Sequence, residues 1–412
     1  MTDYLENALL CLYGDDFTYQ KKRYIEAISK FSHIYNKKNF EVFSAPGRTE
    51  ICGNHVDHNG GKVLAAAVNT DMIAVAAPLD EKIIKITSDG YAPIEVDLEL
   101  LAGLSIESGT SSALIRGIAT AIKCKGYPVC GFCAYITSDI KTGSGLSSSA
   151  AFEDLIGTIF NYFCCDSEFS PLDIAKLGKY AENEFFGKAS GLMDQLTCAL
   201  GGICEFDFKE QNFPKINKID FDFDKFSHKI CIVDTKSSHA DLSDDYSAIP
   251  KEMKKVAGFF SKDELCELSK EDVLKNIEQL REFYGDRAVL RALHFFDENK
   301  RTQMAVEALK NNNFGSFLTV INSSGDSSQK YLQNLYSVSN AQYQSLVIAL
   351  YLANEVLGKR GAARVHGGGF AGTIQAFVPD DILDAFINIM ENAFGIGCVN
   401  ILNIRSEGTV KL

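Results

Sequence analysis

The sequence contains no tryptophan, which removes one side chain that commonly stacks on bases and sugars. No run of apolar residues approaches the length that spans a bilayer, and no basic stretch follows Met1 of the kind that opens a secretory signal. Internal repeats and low-complexity tracts are lacking as well. We therefore expect a soluble cytoplasmic protein without a membrane partner.

Positive charge is also scarce, because 41 Lys and Arg residues face 54 Asp and Glu residues and the net charge is −13. A nucleic-acid partner would favour a basic face, so the composition argues against one. A small anionic ligand is compatible with this balance, since local hydrogen-bond donors can outweigh the global sign. With 412 residues, 46% of them hydrophobic, the chain can form two domains, which we place at residues 1–210 and 211–412.

The twelve cysteines do not suggest a disulfide framework or a metal site. Cys164 and Cys165 are adjacent, and the others are scattered among apolar residues. This pattern is typical of buried thiols in a reducing compartment. We therefore predict that the cysteines are reduced and buried.

The most informative stretch is the sequence TGSGLSSSAA at residues 142–151. It follows a β-rich run, residues 132–138, and precedes apolar residues at helical spacing up to Phe163. Such a strand, loop and helix suit a polyphosphate, because glycines allow close backbone approach, serines add donors, and the helix start offers N–H groups. The alternative is a plain connecting loop, since short motifs also match by chance.

Two common nucleotide-binding loops do not fit this stretch. A Walker loop needs a lysine after its glycines, whereas Lys141 precedes them. A dinucleotide fingerprint needs a third glycine where Ser148 stands. The predicted phosphate-binding loop must therefore be of another kind.

The densest polar stretch is PGRTEICGNHVDHNGG at residues 46–61. Convergent donors and acceptors on a loop are how polyol ligands are held, although polar residues with glycines also form ordinary surface turns. His55, Asp57 and His58 could instead be metal ligands, but no further histidine or cysteine cluster completes a site. We favour a binding site.

Two carboxylates follow the serine-rich loop. Glu182 lies near the end of a helix that begins with Ser170 and Pro171, and Asp194 lies in the sequence GLMDQL. Their apolar neighbours imply that each needs a partner or a cation to stay charged, although a solvated helix face is an alternative for Glu182. A glycine-rich segment at residues 366–372 indicates close backbone approach to another segment or a ligand.

The remaining pattern predicts an α+β protein. Strands are expected at residues 63–68, 73–77, 83–87 and 132–138, with breaks at 69–71 and 78–80, and helices at 112–123, 149–164 and 171–181. We expect an N-terminal mixed sheet with helices on one side, a C-terminal α+β domain, and an active site in the cleft between them.

Residues 46–61, 143–151 and 367–372 resemble the three motifs of the GHMP small-molecule kinases, and within that superfamily the galactokinase family. The resemblance covers nearly the whole chain, including the spacing from His239 to Tyr246. It implies the two-domain GHMP kinase fold and transfer of the γ-phosphate of ATP to the anomeric hydroxyl of galactose. ATP would be the co-substrate and Mg²⁺ the cofactor, in a monomer or small homo-oligomer.

The resemblance also implies roles for individual residues. Asp194 matches the aspartate that takes the proton from the anomeric hydroxyl, and Arg48 matches the arginine that orients this aspartate and stabilises developing charge. A cationic Arg48 beside Asp194 should also depress the pKa of the carboxyl group. Ser149 and Glu182 match the Mg²⁺ ligands. The positions that match sugar contacts are Asn54, His55, Asp57, Gly191 and Tyr246, and those that match the loop around the ATP phosphates are Gly143, Ser144, Gly145, Leu146, Ser147, Ser148, Ser149 and Ala150.

Three positions depart from the usual galactokinase pattern. Galactokinases usually carry Asn and Glu where this chain has Glu50 and Asn54, and Tyr where it has His58. The exchange at Asn54 removes a negative charge near the distal end of the sugar, so galacturonate or N-acetylgalactosamine is an alternative substrate. A non-catalytic sensor of sugar and ATP is a further alternative, but Arg48, Asp194 and the serine run are intact and favour the enzyme.

Overall fold

The computed structural model describes residues 3–101, 107–141, 143–188, 190–237 and 242–412. Among these residues, no helix is long and apolar enough to cross a membrane. The helices are α1 Asp3–Tyr13, α2 Phe17–Tyr35, α3 Ser111–Cys124, α4 Ser148–Cys164, α5 Pro171–Ala181, α6 Met193–Leu200, α7 Ser243–Phe259, α8 Lys270–Lys275, α9 Ile277–Tyr284, α10 Asp286–Lys310, α11 Phe314–Ser327, α12 Ser345–Leu357 and α13 Leu383–Phe394. The strands are β1 Glu41–Cys52, β2 Lys62–Leu79, β3 Ile83–Ser88, β4 Ile94–Asp97, β5 Gly131–Ser138, β6 Ile203–Asp207, β7 Lys215–Ile219, β8 His228–Asp234, β9 Ala362–His366, β10 Thr373–Pro379, β11 Val399–Leu402 and β12 Val410–Lys411.

An 8-stranded mixed sheet organises the first half of the chain. Its order is β12-β1-β2-β5-β3-β4, and β6 and β7 extend from β2. Strands β3 and β5 run parallel, whereas β1 and β2 form a long antiparallel pair. The predicted mixed sheet is confirmed.

Helices cover both faces of this sheet. Val42 and Val75 pack against α1 and α2 on one face, whereas the core on the opposite face includes Phe43 and Ala74 together with residues of α3 and α4. Strand β2 has apolar residues on both faces along most of its length, so neither face can be left in water. The expectation of helices on one side only is therefore wrong.

The predicted break at residues 69–71 is also wrong, because β2 is one strand of 18 residues. Asp71 stays charged within the strand because Arg23 and Arg405 form ion pairs with its buried carboxylate. Tyr13 and Ser44 donate hydroxyl hydrogen bonds to the same group. Burial raises the pKa of Asp71, but the two arginines outweigh it and the net shift is downward. We call these five residues the Asp71 cluster.

A 4-stranded antiparallel sheet, in the order β11-β8-β10-β9, organises the second half. Helices α12 and α13 pack on one of its faces, while Ile230 and Phe377 on the other join the core of the first sheet. Strands β7 and β12 lie beyond residue 210 in sequence but pair within the first sheet. The division at residue 210 remains a prediction.

The cysteines differ from expectation at two places. Cys130 and Cys164 form a disulfide that joins the start of β5 to the end of α4, so the prediction of reduced thiols is wrong for this pair. Cys11 and Cys124 are free but exposed. Most other free cysteines are buried among apolar side chains, as their sequence neighbours indicate.

Candidate active site

The serine loop, residues 143–150, joins β5 to α4 as predicted. Gly143 and Gly145 both have φ in the left-handed region, and a Cβ at Gly145 would collide with Thr373 Oγ1. Ser147, at the N-cap of α4, has φ 58° and makes no side-chain cap hydrogen bond to the helix. The first amide groups of this 17-residue helix are therefore oriented to bind an anion.

Arg48 and Asp194 form a bidentate ion pair beside this loop. Arg48 Nε lies 2.7 Å from Asp194 Oδ1, and Arg48 Nη2 lies 2.7 Å from Asp194 Oδ2. Ser147 Oγ donates a third hydrogen bond to Oδ2, also at 2.7 Å. The structure thus brings together three predicted residues that are far apart in sequence.

The electrostatics of this pair make Asp194 a weak base. Burial raises its pKa, but the charge of Arg48, the hydrogen bonds from Arg48 and Ser147, and the charge of Lys188 outweigh burial and bring the pKa to about 2. The pKa of Arg48 is raised, because the charge of Asp194 outweighs the effect of burial. Both groups are therefore charged at neutral pH.

Close backbone packing places Arg48 against the serine loop. A Cβ at Gly47 would lie 2.9 Å from Leu146 O, so the preceding position suits only glycine. Arg48 N donates to Leu146 O at 3.0 Å, and Arg48 Nη1 donates to Gly145 O. The arginine therefore links the loop to the carboxylate.

Glu182 lies inside the protein, at the start of a single π-helical turn after α5. Its side chain is only 3% exposed, which rules out a solvated helix face. Ser149 Oγ lies 3.5 Å from Glu182 Oε1, Lys188 Nζ lies 2.7 Å from the same oxygen, and Gln195 Nε2 lies 3.0 Å from Oε2. Of these neighbours, only Ser149 was predicted.

A second carboxylate lies behind Glu182. Gln195 Nε2 also donates to Glu153 Oε2 at 2.9 Å, so one amide bridges two buried carboxyl groups. Burial and the charge of Glu182 raise the pKa of Glu153 well above its usual range. Glu153 follows Ser149 by one helical turn, and this i, i+4 spacing was the signal that could have identified it.

A metal ion would find few ligands from the protein alone. Within the described ranges, no group of three or more His, Cys, Asp or Glu side chains could hold one. This finding gives no support to the alternative of a His55, Asp57 and His58 metal site. Ser149 and Glu182 offer one hydroxyl and one carboxylate, and the ammonium of Lys188 already stands as a cation on Glu182.

Three of the five predicted sugar residues, Asn54, His55 and Tyr246, contact the segment 366–372, which we call the glycine turn. His55 Nε2 donates to Gly368 O at 2.9 Å, and Tyr246 OH donates to Gly369 O at 2.8 Å. Burial lowers the pKa of His55 to about 4, so its ring is neutral at pH 7. His239 lies outside the described residues.

Gly191 and Asp57 are packed against each other. A Cβ at Gly191 would collide with Asp57 Oδ2, so only glycine leaves room for this carboxylate. His58 Nε2 lies 3.6 Å from Asp57 Oδ1. Asp57 therefore packs against the segment that immediately precedes Asp194.

Asn54 lies behind these residues and contacts protein. The residue is 1% exposed; its Nδ2 donates to Glu50 Oε1 at 3.1 Å and to Gly367 O at 2.8 Å, and its Oδ1 accepts from Asn334 at 2.8 Å. Glu50 in turn forms a buried ion pair with Arg364 at 2.7 Å. A direct contact of Asn54 with sugar remains a prediction.

Three non-glycine residues adopt left-handed backbone conformations in this region, one in each motif. They are His55 with φ 58°, Ser147 with φ 58° and Phe370 with φ 59°. Such conformations cost energy and persist where the surroundings enforce them. His55 and Ser147 are each held by a hydrogen bond to another motif or to Asp194.

Comparison with known families agrees with this arrangement. Residues 29–78 match the galactokinase galactose-binding signature, and residues 109–202 match the GHMP kinases N terminal domain. The galactokinase of Actinobacillus pleuropneumoniae serotype 5b is 31% identical over 360 residues, which cover 86% of this chain and 89% of that protein. The galactokinase of Lactobacillus helveticus is 31% identical over 362 residues, with the same two coverages.

Solved structures show the same fold. The crystal structure of Lactococcus lactis galactokinase complexed with galactose matches with a TM-score of 0.81 and 26% identity, covering 93% of this chain and 98% of that one. The mevalonate kinase of Methanococcus jannaschii matches with a TM-score of 0.63 and 18% identity, covering 90% of this chain, and supports the fold alone.

Proposed function

Since this chain belongs to the galactokinase family, we propose that it transfers the γ-phosphate of ATP to the anomeric hydroxyl of galactose, giving galactose 1-phosphate and ADP. The observation that carries the proposal is the ion pair of Arg48 and Asp194 against the serine loop. It sets a carboxylate beside the start of α4, where a polyphosphate is favoured. We place this activity in the cytoplasm, where ATP is available.

In this proposal Asp194 accepts the proton of the anomeric hydroxyl. With a pKa of about 2 it is a weak base, so the proton moves late, after bond cleavage at phosphorus is well advanced. A loose transition state for phosphoryl transfer allows this order, because it asks for positioning and charge stabilisation more than for a strong nucleophile. Arg48 fixes the direction of the carboxylate through its two hydrogen bonds.

Ser149 and Glu182 would hold Mg²⁺. An oxygen from a hydroxyl and one from a carboxylate suit this ion, and the presence of the Lys188 ammonium on Glu182 shows that the carboxylate attracts a cation. When bound, the ion would neutralise charge on the phosphates. Gln195 orients the second oxygen of Glu182 from behind.

His55, Asp57, Gly191 and Tyr246 would contact the sugar. His55 and Tyr246 are both anchored to the glycine turn, and Asp57 packs on Gly191, three residues before Asp194. A hexose held there has its reducing end toward Asp194. Because His55 Nε2 donates to Gly368 O, the neutral ring offers Nδ1 as an acceptor, and the carboxylate of Asp57 is a second acceptor. Two acceptors suit the hydroxyl groups of a sugar, which can donate to them.

An ATP-coupled assay over free sugars tests the substrate. We expect galactose to give the highest kcat/KM, at least about tenfold above galacturonate and N-acetylgalactosamine, because a built polar site rejects groups it cannot pair. Galactose 1-phosphate is identified by mass spectrometry. A higher kcat/KM for galacturonate would instead support the alternative drawn from Asn54, and no turnover of any sugar would support a sensor.

Exchanging Glu50 and Asn54 tests the departure from the family pattern. Asn54 Nδ2 lies 3.1 Å from Glu50 Oε1, so Asn54→Glu alone sets a second carboxylate beside that of Glu50, and we expect galactose kcat/KM to fall about tenfold or more. The double variant Glu50→Asn, Asn54→Glu again has one carboxylate and one amide, and should recover at least about 1 kcal/mol relative to additive single effects. The double-mutant cycle is measured in kcat/KM and in unfolding free energy.

Additive single effects in that cycle would show that the two positions act independently. The three-sugar ranking is recorded for each variant. An unchanged ranking in the double variant would reject any role for position 54 in selectivity.

A further inference from the structure

Lys188 occupies an unusual position in this site. It follows the π-helical turn and Gly187, and its backbone N donates to Glu182 O at 3.0 Å. Its Nζ returns to the same residue and lies 2.7 Å from Glu182 Oε1. The side chain is 56% exposed, whereas that of Glu182 is 3% exposed. The ammonium group of a long, partly exposed side chain therefore forms an ion pair with the carboxylate proposed to bind the metal.

The surroundings of this ammonium group are acidic. The charge of Asp194, in addition to that of Glu182, acts on it. Arg48, the other cation of the site, is committed to both oxygens of Asp194 and to Gly145 O. Of these two cations, Lys188 is the one whose ammonium group can change partners, because its side chain is largely exposed and not packed in the core.

We propose that Lys188 is a phosphate-binding residue, whose ammonium group leaves Glu182 for the terminal phosphates when metal and nucleotide bind. This inference rests on the proposed function of the site. Phosphoryl transfer draws most of its catalysis from cations placed around the phosphates. The movement replaces one ion pair by another and frees Glu182 Oε1 for the metal, so no buried carboxylate is left without a counter-charge.

The alternative is that Lys188 serves only as a counter-ion of Glu182. The two roles differ in their effect on the affinity for a nucleotide bound together with its metal. A lysine that contacts phosphate adds to the binding of ADP with Mg²⁺, so its removal weakens that binding. A simple counter-ion competes with the metal for Glu182, so its removal leaves that binding unchanged or strengthens it.

The test uses the full chain with Lys188→Met and Lys188→Arg. Lys125→Met is the matched control, because Lys125 also pairs with a carboxylate, Asp173, at 3.4 Å. Asp173 lies in the first turn of α5, nine residues before Glu182, and thus roughly 14 Å from it along the helix. Binding of ATP in EDTA and of ADP with Mg²⁺ is measured by isothermal titration calorimetry.

We expect Lys188→Met to weaken the binding of ADP with Mg²⁺ about tenfold, Lys188→Arg to restore most of the loss, and Lys125→Met to stay within about twofold of wild type. The effect on ATP binding in EDTA should be smaller, because Lys188 then stays on Glu182. The kcat/KM for ATP should fall by a larger factor than the affinity, because the charge also acts in the transition state. An unchanged or higher affinity of Lys188→Met for ADP with Mg²⁺ would overturn the proposal. These bindings need no sugar turnover, so a wrong sugar assignment would appear in the sugar assay and leave this result unaffected.

Discussion

Asp194→Asn is expected to lower kcat with galactose by about a thousandfold or more, while the affinity for nucleotide changes little. The amide has nearly the same shape but cannot accept the proton of the anomeric hydroxyl. It also removes the charge that both Arg48 nitrogens contact, so Arg48 loses its anionic partner at the reacting end of the site. Turnover is followed in a coupled ATP assay, and nucleotide binding by calorimetry.

Asp326→Asn is a suitable control for that experiment. Asp326 pairs with Lys330 at the surface, at 3.0 Å, and its side chain is 67% exposed. We expect wild-type kinetics for it. Full activity in Asp194→Asn would remove Asp194 from the mechanism, and an equal loss in both variants would point to a general effect of handling or folding.

The pH profile of the wild-type enzyme provides a second check on Asp194. A carboxyl group with a pKa of about 2 is ionised throughout the range from about pH 5 to pH 8. The kcat/KM should therefore show no decrease from protonation of Asp194 between about pH 8 and pH 5. A decrease of kcat/KM with an apparent pKa near 6 in the wild-type enzyme, which is absent from an Arg48→Lys variant, would contradict the low pKa of Asp194.

Asp71→Ala is expected to lower the free energy of unfolding by about 3–5 kcal/mol, the largest stability effect we foresee. The change leaves Arg23 and Arg405, both buried, without their shared carboxylate, and leaves two hydroxyl donors without an acceptor. Unfolding in urea at constant m-value measures the loss. In the wild-type protein, Asp71 links two helices, strand β1 and the C-terminal segment. We therefore expect the urea midpoint of the whole protein to shift as a single transition.

Asp89→Asn is the control for stability. Asp89 pairs with Lys30 at the surface, and its side chain is 57% exposed, so we expect a change below about 1 kcal/mol. The folded-state pKa of Asp71 is depressed, so its contribution is present above the unfolded pKa and is lost as the pH falls below about 4. The gap between wild type and Asp71→Ala should narrow in acid. A gap that is constant with pH would mean that the charge of Asp71 is not what stabilises the fold.

The sequence was sufficient to predict the local units around the site. The strand, loop and helix around residues 143–150, and the cap at Ser170 with its Pro171, follow from short-range steric and hydrogen-bond rules. The pairing of Arg48 with Asp194 was predicted through family resemblance, because no local rule joins residues 146 positions apart. Their bidentate geometry required the structure.

Other features depend on tertiary contacts that a pattern does not contain. The polar residues at 69–71 predicted a break between two strands. In the structure the charge of Asp71 is paired with Arg23 from α2 and Arg405 from the C-terminal segment, so the strand continues. The contact of Lys188 with Glu182 depends on the geometry of a π-helical turn, which no pattern in the sequence indicated. The Cys130 and Cys164 pair arises because β5 and α4 pack side by side.

The anchoring of His55 and Tyr246 on Gly368 and Gly369 has a consequence for biosynthesis. A ribosome must pass residue 369 of 412 before both carbonyl groups exist. A nascent chain that already contains Arg48, the serine loop and Asp194 therefore still lacks the partners of two residues proposed to bind the sugar. The order of synthesis thus places completion of the proposed sugar site among the last steps of folding.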